Sequence, residues 1–263
     1  MPMTDILLRD DRDGIATLTL NDPGTLNALS DEMLAALARQ LSDIAASDLR
    51  VVILRTAGRA FCAGHHLRQM QAMRQADDGG AAAFADLFDR CAAVMAHIRN
   101  LPQPVIARVH GLATAAGCQL VATCDLAIAA EDAKFGVNGV DIGLFCSTPM
   151  VALTRNVGRK RAFELLSMGL MMSAEEAVTA GLVNRAVPAD ALDDCVAYYA
   201  GHLARKLPGA VRVGKDIFHA QAELPIDDAY ALARDAMVAN LGDPDTAEGI
   251  QAFLEKRAPR WTP

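Results

Sequence analysis

The sequence is short of several things, and each shortage closes off a class of function. No apolar run reaches the roughly 20 residues needed to span a bilayer. The N-terminus, "MPMTDILLRDDRDGIATLTL", lacks the basic, apolar, small-residue order of a signal peptide. It also lacks the Arg-rich, acid-poor look of a transit segment, so it reads as cytoplasmic and mature from its first residues. Positive charge is in deficit: 25 Lys and Arg stand against 32 Asp and Glu, for a net charge of −7. Without a positive field there is no general attraction to nucleic acid or to an anionic membrane surface. A polyanionic ligand would have to be held by local cations or backbone amides. The six cysteines, Cys62, Cys91, Cys118, Cys124, Cys146 and Cys195, form no CxxC pair and sit among apolar or small residues. They read as reduced, mostly buried thiols, with no metal role expected. Internal repeats and low-complexity tracts are absent as well.

What is present is a chain of 263 residues with 52 % hydrophobic and 22 % charged content, ordinary for a water-soluble globular fold. The segments 5–9 and 14–20 read as a strand pair turning near Asp11-Arg12-Asp13-Gly14. "NDPGTLNALS" is a loop, and Ser30 can cap the helix after it, in which Met33, Leu37, Leu41 and Ile44 share one face. "LRVVILRTAG", "PVIARVHG" and "CDLAIAA" read as strands separated by helices, the alternation of βαβ units. After about residue 150 only helices are expected, one of them opened by a capping box at "SAEE". The expected division is a β/α core over 1–200 and a helical C-terminal segment over 201–263.

Two segments share a design. In "RAFCAGHHL" and in "GLATAAGCQL" a strand feeds small residues and then a helix. Small side chains let a ligand approach the backbone. The first turn of a helix leaves N–H groups without intrahelical partners, and these favour negative charge. Two such bends facing each other could aim two N–H groups at one oxygen, forming an oxyanion hole. The plainer reading of each bend alone is tight helix–strand packing.

Together with "DPGTLNALS", "HGLATAAGCQLVATCDLAIAAEDAKFG", "SAEEAVTAGLVNRAVP" and "EGIQAFLEKRAP", these strings resemble the crotonase, or enoyl-CoA hydratase/isomerase, family over nearly the whole chain. The resemblance implies an α/β fold of the ClpP/crotonase-like kind, with a spiral β/α core and a helical C-terminal trimerisation segment. It implies a homotrimer or a dimer of trimers, an acyl-CoA ligand of fatty acid metabolism, and lyase or isomerase chemistry. No cofactor is implied beyond the coenzyme A of the substrate. The thioester oxygen maps to the backbone N–H groups of His65 and Ala116. The binding run along the first bend maps to His65, His66, Leu67 and Arg68. A basic residue in the C-terminal "FLEKR" stretch maps to Lys256, and Arg59 and Arg257 are further candidate cations.

The family's hydratases use two Glu to activate water and to deliver a proton. In this chain those positions align with Gln119 and Gly139. An amide can hold a water but does not exchange protons near neutral pH, and glycine offers nothing. Asp141 could substitute if the chain from Gly139 is extended, since alternate residues then share a side; otherwise it is a loop acid bonding neighbouring amides. The His65 imidazole could serve as acid or base, or could sit at the pocket rim. Some family decarboxylases carry His there, which leaves decarboxylation of malonyl-type thioesters open. His66 stands where the family has Asp, so the helix start at Leu67 is expected to be less well fixed. Ser147 and Cys146 are nucleophile types without a partnered base in view. Two main readings follow: enolate chemistry other than plain hydration, or acyl-CoA binding without chemistry.

Overall fold

Asp13 and Gly14 both adopt positive φ, 52° and 76°. That is the geometry of a two-residue primed turn, whose twist matches paired strands. It joins β1 (Leu7–Arg12) to β2 (Ile15–Leu20), with Arg12 facing Ile15 in antiparallel register. Ala16, Leu18 and Leu20 alternate inward and are fully buried. This computed structural model describes residues 5–261. The readings that touch Met1–Thr4 or Pro263 fall outside the described residues.

Ser30 accepts from the Met33 amide at 3.2 Å and caps α1 (Asp31–Ala45), as its sequence suggests. The chain then runs through β3 (Val51–Thr56), α2 (Leu67–Met73), α3 (Ala81–Asn100) and β4 (Val105–Val109). β5 (Leu112–Thr114), α4 (Ala116–Thr123), β6 (Leu126–Ala130) and β7 (Lys134–Gly136) follow. The rest comprises α5 (Ser147–Leu153), α6 (Arg159–Met168), β8 (Met171–Ser173), α7 (Ala174–Ala180) and β9 (Arg185–Val187), then α8 (Leu192–Ala204), α9 (Pro208–Gln221), α10 (Ile226–Leu241) and α11 (Pro244–Leu254). The main sheet has the order β1-β2-β3-β4-β6-β9, parallel from β2 onward. A second sheet, β5-β7-β8, stands beside it.

The main sheet is covered on both faces, the arrangement a parallel sheet requires. Val52, Leu54, Val105 and Ala107 join α1, α3 and α4 in the larger core. Val51, Ile106 and Ile128 point the other way and pack on Leu192, Val196 and Ala200 of α8. The expectation of helices alone after residue 150 is corrected by β8 and β9. Strands of three residues are too short to show a two-residue period, and their partners lie far away in sequence. The "SAEE" box is as read: Ser173 accepts from the Glu176 amide, and the Glu176 carboxylate accepts from the Ser173 amide. α9–α11 bury little within this chain. Phe218, Tyr230 and Phe253 are 68 %, 72 % and 83 % exposed.

Candidate active site

The two small-residue bends are stitched together. Cys62 N–H donates to Leu112 O and Thr114 N–H donates to Cys62 O, both at 3.0 Å. A Cβ added to Gly117 would stand 2.2 Å from Cys62 O, so only glycine lets α4 start this close. A Cβ added to Gly64 would meet the Ala115 Cβ at 2.9 Å and the Ala116 nitrogen at 3.2 Å. The peptide leading into His65 therefore lies against the first turn of α4. Ala115, between β5 and α4, takes φ 50° and ψ −121°. That conformation is strained for a residue with a side chain, by about 1–3 kcal/mol, and it is held by the Ala115 N–H donating to Gly136 O at 2.9 Å. Among the described residues, no acceptor is recorded for the His65 amide or the Ala116 amide.

A second clamp was not singled out from the sequence. Asn27 is fully buried, at φ 54°. Its Nδ2 donates to Ala57 O and Ala60 O, and its Oδ1 accepts from the Asp22 amide. Leu29 N–H then donates to Gly64 O at 2.8 Å. The "NDPGTLNALS" loop thus fixes the first bend from its outer side. Only an Asn inside a turn-rich string could have signalled this.

The His65 ring packs edge-on against Phe88 of α3, with centroids 5.5 Å apart. Both ring nitrogens are buried without a geometric hydrogen-bond partner among the described residues. Burial pulls the His65 pKa below its ordinary value. The Leu29 backbone opposes this, and the charge of Arg90 adds to it. His66 departs from expectation: its Nδ1 accepts from the Gln69 amide at 3.2 Å and caps α2. An unprotonated imidazole nitrogen offers the same lone pair as a carboxylate oxygen, so the helix start is fixed after all. Leu67 and Arg68 are exposed.

Gln119 is 5 % exposed, and its Oε1 has no hydrogen-bond partner among the described residues. Gly139 is buried, and a Cβ there would meet Leu144 O at 2.2 Å and Cys146 Sγ at 2.8 Å. Position 139 is closed to any side chain in this backbone. The segment from Gly139 to Ile142 is a 3-10 turn, so the extended chain that would place Asp141 beside Gly139 does not exist. Asp141 is exposed, accepts weakly from Asn138 Nδ2 at 3.4 Å and leans on Gly169. Asn138 also accepts from Thr114 Oγ1, which ties this turn to β5. Cys146 is a buried thiol whose pKa burial pushes up, and Ser147 Oγ contacts only Phe145 O, at 3.4 Å. Of the candidate cations, Arg257 is committed to Glu248 and Glu255, and it holds the Glu248 carboxyl down to about 2. Arg59 and Lys256 are exposed. Among the described residues, no group of three or more His, Cys, Asp or Glu is placed to hold a metal ion.

A strained bend, a glycine abutting it and two undirected amides are local features; whole-chain comparison supplies the wider setting. The family model described as enoyl-CoA hydratase/isomerase matches residues 10–263. The chain belongs to the enoyl-CoA hydratase/isomerase family. It is 44 % identical over 251 residues to the human mitochondrial enoyl-CoA hydratase domain-containing protein 3, covering 95 % of this chain and 81 % of the relative. The crystal structure of that human protein superposes with a TM-score of 0.92 at 43 % identity, over 97 % of this chain and 100 % of the other. An enoyl-CoA hydratase structure from Mycobacterium smegmatis matches at 0.94 and 51 % identity, over 97 % and 98 %. The crotonase fold expected from the sequence is therefore the fold observed. The cytoplasmic reading does not stand. The human, rat and mouse relatives are named as mitochondrial proteins. The hydropathy and charge of a few first residues did not report the compartment.

Proposed function

We propose that this family member binds an acyl-CoA and grips its thioester oxygen between the backbone N–H groups of His65 and Ala116. The observation that carries the reading is the pair of unengaged amides at two bends that touch. Amides aimed at a developing oxyanion need no reorganisation during reaction, and each contributes about 3 kcal/mol of barrier lowering. Polarising the carbonyl acidifies the α-carbon, so enolate chemistry is the reaction class. The His65, His66, Leu67 and Arg68 run and exposed Lys256 are the surfaces offered to coenzyme A, and no other cofactor is called for.

Plain hydration is not the reaction. Gln119 cannot exchange a proton, and Gly139 has no side chain and no room for one. General acid–base assistance is worth about 10²–10⁴-fold per group, so hydration of crotonyl-CoA should be very weak. The His65 imidazole sits on the residue that supplies one proposed donor, and burial favours its neutral form. It is the base for any turnover here, while Asp141 leans away toward Gly169. The second reading, a binding protein without chemistry, is favoured by the buried amide of Gln119. A panel of saturated, unsaturated and malonyl-type CoA thioesters, scored for binding and turnover, separates the two. Binding with no turnover selects the second, and rapid crotonyl-CoA hydration would contradict both.

The uncovered apolar faces of α9–α11 suit a homotrimer or a dimer of trimers, with the helical segment after residue 200 serving assembly. Light scattering on the purified chain tests this, and a monomer would refute it.

A further inference from the structure

His110 follows β4 at the foot of the second bend, outside the groups assigned to the thioester. Its Nε2 lies 2.7 Å from Gly58 O, at the foot of the first bend, and its Nδ1 lies 2.9 Å from Arg108 Nη1. A guanidinium only donates, so Nδ1 is the acceptor and the ring proton sits on Nε2, which donates to Gly58 O. Arg108 is held in turn by Asp193 of α8, with Nε 2.6 Å from Oδ1. Ala57 O and Ala60 O, on either side of Gly58, are taken by Asn27 from the outer side. Gly58 O alone of these is taken from the side of the second bend. We propose that His110 is a positioning residue: its neutral ring pins the register in which the two bends meet, and with it the convergence of the His65 and Ala116 amides on one oxygen. It rests on the thioester reading above and adds a residue that acts only through those two amides.

The register needs such a pin. The two bends share the parallel bridge of Cys62 with Ala113, and the bonds from Cys62 N–H to Leu112 O and from Thr114 N–H to Cys62 O. Both stretches, "GRAFCAG" and "HGLATAAG", are rich in Gly and Ala. Segments of that kind specify register weakly, because few side chains resist a slip. His65 lies just past Cys62, and Ala116 just past Thr114, so a slip at this rung is carried to both amides. The His110–Gly58 bond adds a side-chain rung before Cys62. Two close approaches give that rung fixed walls. A Cβ on Gly111 would stand 2.1 Å from Arg59 O, and a Cβ on Gly58 would stand 2.6 Å from the Cβ of Pro23. The carbonyl is thus backed by the "NDPG" loop, and the ring is backed through Arg108 by Asp193, whose carboxyl the Arg108 bond holds below its ordinary range.

Titration calorimetry of the full chain with butyryl-CoA and with free CoA tests this, since free CoA brings no carbonyl to the bends. One hydrogen bond to the thioester supports roughly tenfold in affinity. His110→Phe, which keeps a ring but no nitrogen, should weaken butyryl-CoA about tenfold and leave free CoA within about twofold. His110→Gln, whose amide N–H can reach Gly58 O, should restore most of the preference for butyryl-CoA. If His110→Phe folds poorly, His110→Asn takes its place: its side chain is too short to reach Gly58 O, and the same loss is expected. Equal weakening of both ligands, an undiminished preference in whichever of these two variants folds, or no recovery in His110→Gln would each overturn the proposal. A preference that survives loss of the ring nitrogens removes this proposal alone, whereas a wild-type protein that binds butyryl-CoA no better than free CoA removes the thioester reading with it.

Discussion

The two ends of the parallel sheet differ in how their polar side chains are matched. At the N-terminal end of the strands, Lys215 of α9 is 7 % exposed and spends its ammonium on three acceptors. It donates to Ile98 O at 2.9 Å, Gln103 O at 3.1 Å and Asp125 Oδ2 at 2.7 Å. Asp125 Oδ2 also accepts from the Val105 amide, at 2.7 Å. Two buried atoms there also lack hydrogen-bond partners among the described residues, Gln103 Oε1 and His219 Nε2. Gln103 donates to Ile44 O at 3.0 Å, and His219 Nε2 stands 3.6 Å from Asp125 Oδ1. Beyond the C-terminal ends of β3 and β4, the buried His65 ring nitrogens and Gln119 Oε1 have no hydrogen-bond partner among the described residues. Ligands of parallel α/β sheets bind outside the carboxyl ends of the strands. The Lys215 and Asp125 charges are matched by several partners at one end, whereas at the other end no side-chain bond engages Gln119 Oε1 among the described residues.

Breaking the paired end should have the largest effect. Lys215→Met leaves the half-buried Asp125 charge without its ammonium and two carbonyls short of a donor, and should cost about 3 kcal/mol in urea unfolding. Gln119→Leu at the other end should change stability by no more than about 1 kcal/mol, since it removes a polar atom that had no partner. Equal losses at both positions would erase the contrast.

Next in size is Gly139→Ala, whose Cβ meets the Leu144 carbonyl at 2.2 Å. The backbone must shift, and the expected cost is about 1–3 kcal/mol. For the same reason, Gln119→Glu combined with Gly139→Glu should not restore rapid crotonyl-CoA hydration. Brisk turnover by that double variant would show that the turn opens freely.

The smallest effect concerns pH. The folded-state pKa of His65 lies below its unfolded value of about 6.5. As pH falls, the unfolded chain takes up that proton first. The stability linked to His65 is therefore complete above the unfolded pKa and is lost as pH drops toward the folded one. His65→Leu should flatten this part of the curve, read from urea midpoints between about pH 7.5 and pH 5. An unchanged slope would place the ring in water rather than against Phe88.

Local signals were legible in the sequence and distant ones were not. The Asp13-Gly14 turn, the Ser30 cap and the Ser173–Glu176 box each depend on a few adjacent residues, and each is where its residues pointed. β5, β7, β8 and β9 are three residues long and owe their existence to partners elsewhere in the chain. At the site, the small-residue bends announced themselves. The crowding at Gly139 did not, because a 3-10 turn brings the Leu144 carbonyl back onto it. Nor did the cap at His66, since imidazole is an unusual residue for that task.

The central claim is that two backbone amides polarise a thioester carbonyl, and infrared difference spectroscopy of bound butyryl-CoA, isotopically labelled at that carbon, reads it directly. The carbonyl band should move to lower frequency on binding. Ala116→Pro should abolish most of that movement, because proline fits the first position of a helix but has no N–H. A band that stays at its solution frequency in the wild-type complex, or that moves equally in the proline variant, would contradict the claim.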